Sequence, residues 1–127
     1  MPEKLVASGM RPALTSAMFH ILLALADGER HGYGIMLDVA AYTEGGLRLG
    51  AGTLYRSLKH LLDAGLIAEA GERPDPALDD ERRRYYRLTE AGQRAAQDEV
   101  ARLAQLVAVA RVRALWGQRA AHAEVGG

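Results

Sequence analysis

Residues 50–67, GAGTLYRSLKHLLDAGLI, place hydroxyl and basic side chains near the start of a helical pattern. The side chains that the leucine stripe leaves free are Thr53, Tyr55, Arg56, Lys59 and His60. Arginine and lysine bind phosphate and guanine, and threonine and tyrosine hydroxyls donate to phosphate oxygens. This combination predicts contact with double-stranded DNA. The alternative is that these polar groups only solvate an amphipathic helix.

The same stretch has the features of a helix that can enter a major groove. Its leucines, at positions 54, 58, 61 and 62, fall within an arc of about 100° and predict a buried face. Gly50 and Gly52 leave the start of the helix open, so its backbone N–H groups can meet a phosphate. Gly65 is a suitable residue to end it in a left-handed conformation.

A second basic group lies in RRRYYRL, residues 82–88, whose composition predicts a strand. A second strand, its partner in a hairpin, is predicted over Leu66 to Ala70. The residues between the two strands, 71–81, are acidic and contain prolines, which predicts a loop. Arg82 and Arg83 are expected to contact the DNA backbone or minor groove. The alternative is that the run pairs with the acidic residues at 79–81. Arg84 is expected to be structural, because it alternates with Tyr86 and Leu88.

Two further helices precede this region. In the first, Leu14, Met18, Ile21, Leu22 and Leu25 form one apolar stripe, and Asp27-Gly28 predicts the end. Phe19 and Leu23 lie on nearly the opposite side, so this helix must pack against other elements on both sides. The second runs from His31 or Gly32 to Gly45-Gly46.

The last helix is predicted from Ala91 to about Arg119, with Thr89 as its N-cap and no interruption before Gly117. It carries more apolar surface than a small core can cover, which predicts a homodimer through helix–helix contact. The residues expected at the dimer interface are Phe19, Leu23, Leu103, Leu106, Val107, Ala110 and Leu115.

The predicted fold class is mainly α with a small β-hairpin, a winged helix-turn-helix plus a long C-terminal dimerisation helix. The expected domains are residues 1–89, the DNA-binding domain with an N-terminal arm, and residues 90–127, the dimerisation helix with a frayed tail.

Composition excludes several other classes of protein. The 127 residues include no cysteine, which excludes disulfides and thiolate metal sites and fits a reducing cytoplasm. No histidine has a partner at metal-ligand spacing, and nucleotide-binding and nucleophile motifs are missing, so we expect no metal, no cofactor and no enzyme. No stretch reaches membrane-spanning length. With 16 basic and 16 acidic residues the net charge is zero, so DNA binding must depend on where the charges lie.

Three segments together resemble the PadR family of bacterial and archaeal transcriptional regulators: HGYGI from His31, GTLYRSLKHLLDAGLI from Gly52, and RRYYRLTEAG from Arg83. The resemblance runs from about Leu14 to Arg94, and the single C-terminal helix is similar to that of the short-form members. It implies a homodimer that binds a pseudo-palindromic operator, usually as a repressor. Gly34 departs from the glutamate usual in the family, and residues 71–82 are longer and more acidic than expected.

In some members of that family a small planar molecule releases the DNA. A small aromatic effector would be expected between the last and first helices, near Phe19 and Trp116, although Trp116 can equally be interface packing. Two alternatives stay open. One is a winged-helix protein-interaction module without direct DNA binding, with which the neutral net charge and the acidic residues 71–82 are compatible. The other is a DNA-binding dimer without a ligand pocket.

Overall fold

The computed structural model describes residues 13–77 and 79–115. In chain order its elements are α1 (Ser16–Leu25), β1 (Arg30–His31), α2 (Gly32–Tyr42), α3 (Ala51–Asp63), β2 (Ile67–Asp75), β3 (Asp79–Leu88) and α4 (Glu90–Val112). The chain divides into two compact units between Ala96 and Gln97. The predicted division into domains, residues 1–89 and 90–127, stays a prediction.

The core of the first unit lies between α1, α2 and α3 and confirms the predicted apolar stripes. Its largest fully buried side chains are Ile21, Leu22, Leu25, Ile35, Val39, Leu54, Leu58 and Leu61. Of the predicted stripes, Leu14 and Leu62 are only partly buried and pack at the edge of this core. On the other side of α1, Phe19 is half-buried and Leu23 is exposed.

Local signals set most helix ends. The Thr15 hydroxyl caps α1 by accepting from the Met18 N–H, and His31 caps α2, so Gly32 begins that helix. At the end of α3, Gly65 has a φ of 75° and the Leu66 N–H donates to the Leu61 carbonyl at 3.0 Å. This is the left-handed termination expected of glycine at that position.

The sheet corrects the sequence prediction in two places. It has three antiparallel strands in the order β1-β3-β2, and the two-residue strand β1 was not predicted. Most of residues 71–81, predicted as a loop, belong to β2 and β3. The strands continue because pairing with β3 satisfies the backbone of β2, and β2 is an edge strand, where Pro74 is tolerated. A bulge opposite Tyr85 contains Gly71 at a φ of 97°.

Helix α4 begins as predicted and ends earlier than predicted. The Thr89 hydroxyl accepts from the Gly92 N–H at 3.0 Å, which confirms the N-cap. The predicted end near Arg119 is wrong, because Ala114 adopts a φ of 61° and the Leu115 N–H donates to the Ala110 carbonyl at 2.8 Å. These bonds close the helix after Val112. Trp116 lies outside the described residues.

Candidate nucleic-acid interface

Helix α3 presents its predicted polar side chains to solvent. Its buried side chains are Leu54, Ser57, Leu58 and Leu61, and the five predicted DNA-contacting residues are all exposed. Arg56 makes no hydrogen bond or ion pair with any other described residue. Lys59, in contrast, forms an exposed ion pair with Asp63 at 3.2 Å, one helical turn away. Within residues 13–77 and 79–115, the guanidinium of Arg56 therefore has no partner that competes with an external acceptor.

The first turn of α3 is open. Gly50 is its N-cap, no side chain of the described residues caps the terminal N–H groups, and the turn contains no acidic residue. Ala51, Gly52 and Thr53 are exposed. Backbone donors and the positive end of the helix dipole together favour an anion such as a phosphate at this end.

The Tyr55 side chain lies close to the backbone at the start of α2. A Cβ atom built on Gly32 would lie 3.1 Å from the Tyr55 hydroxyl and 3.2 Å from Leu54 Cδ2. Only a glycine leaves this space unfilled. The Tyr55 ring therefore lies beside Gly32, and 56% of the residue is exposed.

A polar groove of about 230 Å³ joins α3 to the third strand. Its lining includes Tyr33, Tyr55, Arg82, Arg83, Arg84 and Tyr86. The structure thus brings together three of the predicted DNA-contacting residues, Tyr55, Arg82 and Arg83. Thr53, Arg56, Lys59 and His60 do not line the groove.

The three consecutive arginines of β3 have different surroundings. Arg84 lies 3.7 Å from a Glu69 carboxylate oxygen and 3.5 Å from one of Glu72, and these carboxylates raise the pKa of the guanidinium above its ordinary value. Arg82 donates to the Glu72 carbonyl at 2.6 Å. Arg83 lies over the Tyr33 ring, 5.6 Å from its centre. Arg84 is therefore paired with β2, and its structural role stays a prediction.

His31 connects α2 to the far end of β2. Its Nδ1 accepts from the Gly34 N–H at 3.0 Å, so the ring hydrogen is on Nε2, which donates to Asp75 Oδ2 at 2.8 Å. This hydrogen bond, with a second from the Ala77 N–H, lowers the pKa of the Asp75 carboxyl. His31 is therefore both the cap of α2 and a buried packing residue.

The sequence did not indicate two residues of this region. Tyr33 lines the groove, and its only signal was an aromatic side chain in the first turn of α2. Asp75 is bound by a histidine 44 residues away, and a separation of that size leaves no pattern in the sequence.

The predicted dimer-interface residues lie on both units. In α4 only Gly92 and Ala95 are buried. Beyond Ala96, the exposed fractions are 37% for Leu103, 51% for Leu106 and 41% for Val107. Leu115 is also exposed, and Ala110 is half-buried. The dimer contact stays a prediction, as does the ligand pocket near Phe19, because Trp116 is not among the described residues.

Two other kinds of site can be addressed for the described part of the chain. Residues 13–77 and 79–115 contain no group of three histidine or acidic side chains that could hold a metal ion. Within the same ranges, no helix combines the length and apolarity that a membrane crossing requires.

Comparison with known proteins gives one family. The sequence profile of the transcriptional regulator PadR-like family matches residues 21–98. Among curated proteins no significant match is found.

Solved structures give the same fold. A transcriptional regulator from Clostridium thermocellum is 23% identical, with a TM-score of 0.63 over 74% of this chain and 88% of that one. A PadR family regulator from Eggerthella lenta is 25% identical, with a TM-score of 0.57 over 72% and 79% of the two chains. Bacillus subtilis PadR, solved with operator DNA, is 23% identical, with a TM-score of 0.58 over 68% of this chain and 47% of its own.

Proposed function

Because the chain belongs to the PadR-like family of transcriptional regulators, we propose that it is a repressor that binds a pseudo-palindromic operator as a homodimer. Helix α3 enters the major groove, and the outer ends of β2 and β3 contact the adjacent backbone. The Bacillus subtilis relative solved with operator DNA supports this proposal by analogy of fold. The operator sequence that each protein recognises depends on its own side chains and not on the shared fold.

The observation that carries the proposal is the state of Arg56. It projects from the solvent face of α3, with no partner among the described residues, within two turns of an open helix N-terminus. The planar guanidinium binds guanine or phosphate with two parallel hydrogen bonds. The nearby groove adds the Tyr55 hydroxyl and two arginines of β3. Zero net charge is compatible with DNA binding because binding depends on local charge, and Arg82, Arg83 and Arg84 lie together at this groove.

The test is a gel-shift measurement of binding to the promoter region of the protein's own gene, made at several salt concentrations. Direct DNA binding requires affinity to fall as salt rises, because phosphate contacts release counterions. Arg56→Ala is expected to weaken the complex. Arg94→Ala is the matched control, because Arg94 lies on α4 beside Glu90 and outside the proposed interface. A wild-type protein that forms no salt-sensitive complex would favour the protein-interaction alternative.

Dimerisation is supported by the exposed apolar residues of α4. Past Ala96 the described part of this helix buries no side chain within its own chain. Leucines and valines left exposed to this extent are typical of a surface that a second helix covers.

Release by a small planar ligand is a separate part of the proposal. Phe19 is half-buried on α1 and is available to such a ligand. Trp116 is the only tryptophan, so its fluorescence reports binding near it without labelling. Titration with a panel of planar aromatic compounds is expected to change that fluorescence. A flat response across the panel would favour a DNA-binding dimer without a ligand pocket.

A further inference from the structure

Two side-chain bridges join the residues around β1 to the outer end of β2. In the first, buried His31 donates through Nε2 to Asp75 Oδ2 at 2.8 Å, while its Nδ1 caps α2. The other oxygen of Asp75 accepts from the Ala77 N–H at 3.0 Å, inside the turn that follows β2. A single carboxylate therefore links the start of α2 to this turn.

The second bridge runs parallel to the first. Arg73 donates to a Glu29 carboxylate oxygen at 2.6 Å and to the Ala70 carbonyl at 2.9 Å. Its guanidinium lies 3.6 Å from the centre of the Tyr85 ring, whose plane meets the His31 ring edge-on at 5.2 Å. Both bridges connect residues 44 apart in sequence, and Tyr85 on β3 lies between them.

These bridges bear on the proposed DNA-contacting arginines through the strand register. Arg73 pairs with Arg83, and Pro74 with Arg82, in the β2–β3 ladder. Fixing β2 at Arg73 and Asp75 therefore fixes the backbone from which Arg82 and Arg83 project.

We propose that His31 and Asp75 are positioning residues for DNA binding. Their hydrogen bond holds the wing, defined as residues 72–77 and 79–83, where Arg82 and Arg83 meet the DNA backbone while α3 occupies the major groove. This inference rests on the proposed function. It adds that the wing contributes affinity only while it is tied to α2, because an untied wing must lose conformational entropy when DNA binds.

Two variants separate the bridge from the rest of the structure. His31→Asn keeps a good N-cap for α2 but is too short to reach Asp75. Asp75→Asn keeps one oxygen for the Ala77 N–H, and its amide nitrogen cannot accept from His31 Nε2. The Asp75 side chain is 24% exposed, so the second variant changes no closely packed core. Thermal unfolding of both variants establishes that they are folded at the assay temperature.

The experiment measures the affinity of each variant for the operator in three backgrounds: wild type, Arg82→Ala/Arg83→Ala, and Arg56→Ala. In the wild-type and Arg56→Ala backgrounds, loss of the bridge is expected to weaken binding roughly two- to thirtyfold, the range for residues that act on a site through others. In the Arg82→Ala/Arg83→Ala background it is expected to have no further effect, because the groups that the bridge positions are gone.

Other outcomes overturn the inference and are distinguishable from one another. An equal loss in all three backgrounds would mean that the bridge serves general stability only. Unchanged binding of His31→Asn and Asp75→Asn, with weaker binding of Arg82→Ala/Arg83→Ala, would contradict the positioning role and leave the proposed function intact. Wild-type affinity of Arg82→Ala/Arg83→Ala itself would remove the wing contact from the proposed function, and the inference with it.

Discussion

At the scale of single residues, the charged side chains of this protein divide into those that the chain itself engages and those that it leaves available. Arg84 faces two glutamates of β2 and Lys59 faces Asp63, whereas Arg56 is exposed and has no ion pair with another described residue. A sequence with equal numbers of acidic and basic residues can therefore still present a local basic surface.

Arg56→Ala is expected to weaken operator binding by about 1–3 kcal/mol if the guanidinium contacts a base, with relaxed specificity at that one position. If it contacts a phosphate, binding weakens for all sequences and the salt dependence becomes shallower. Replacing Arg82 and Arg83 is expected to act only in the second way, because the wing also carries Glu72 and Glu81. Affinities for the operator and its single-base variants, measured at several salt concentrations, distinguish base contacts from phosphate contacts. A sequence preference lost only in the Arg82/Arg83 variant would mean that the wing, and not α3, reads the bases.

Tyr42 gives a prediction at alkaline pH. Its hydroxyl donates to the His20 carbonyl at 3.1 Å, and burial, with the nearby Asp38 carboxylate, raises its pKa to about 12. Because the folded protein holds this proton more tightly than the unfolded chain, the contribution to stability is complete below about pH 10 and lost as pH rises towards 12. Tyrosinate absorbance should show a late-ionising component to which Tyr42 contributes together with Tyr86, whose pKa burial also raises. Tyr42→Phe should lower the amplitude of that component and leave the part due to Tyr86, and an unchanged amplitude would contradict the raised pKa of Tyr42.

At the scale of elements, turns and caps at helix ends position the interface. The C-terminal turn of α3 and the N-cap of α4 meet at Gly65 and Leu66. The Thr89 hydroxyl donates to the Gly65 carbonyl at 2.7 Å, and the Thr89 N–H donates to that of Leu66 at 3.2 Å. A Cβ on Gly92 would overlap the Leu66 carbonyl oxygen, so glycine is required at this crossing.

Two glycine substitutions in and after α3 are expected to have opposite effects on stability. Gly65 has a φ of 75°, and Gly65→Ala should destabilise by about 1 kcal/mol because the left-handed conformation is unfavourable for alanine. Gly52 is in the helix with open space around it, and Gly52→Ala should stabilise by up to about 1 kcal/mol. Urea unfolding measures both. Equal effects of the same sign would contradict the assigned end of α3.

Thr89→Ala is expected to destabilise the protein by about 1 kcal/mol or somewhat more, since it removes both the cap of α4 and the hydrogen bond to Gly65. Thr89→Ser keeps the hydroxyl and is the matched control. Thermal unfolding should place the serine variant close to wild type. A serine variant as unstable as the alanine variant would show that the threonine methyl, and not its hydroxyl, is what matters.

At the scale of the whole molecule, the proposed dimer sets the spacing of the two α3 helices. Successive major grooves on one side of DNA lie about 34 Å apart, so the two recognition helices of a symmetric dimer must match that distance. Dimerisation through α4 would then multiply the affinity of each half-site contact.

Leu103→Glu combined with Leu106→Glu is expected to produce a monomer that binds the operator weakly, because charges in a helix–helix contact are not compensated. Both leucines are exposed within the chain, so the monomer should remain folded. Gln105→Glu places a charge on the opposite side of the same helix and is the control. Sedimentation and operator affinity are measured together. A dimer of undiminished affinity in the double variant would place the contact elsewhere.

The sequence by itself determined the order of the helices, the buried stripes of α1 and α3, two helix-end residues and the family. Apolar spacing along α1 and α3, the Thr89 cap and the Gly65 turn depend only on neighbouring residues, and the structure confirms each of them. The resemblance carried by HGYGI, GTLYRSLKHLLDAGLI and RRYYRLTEAG agrees with the family match over residues 21–98.

Only the tertiary structure decided how the sheet and the interface are assembled. A two-residue strand such as β1 has no periodicity, and polar residues 71–75 became strand because β3 satisfies their backbone. The same applies to the groove that joins Tyr55 to Arg82 and to the bond between His31 and Asp75. These contacts join residues tens of positions apart, and packing selects such partners from many that are chemically equivalent in the sequence.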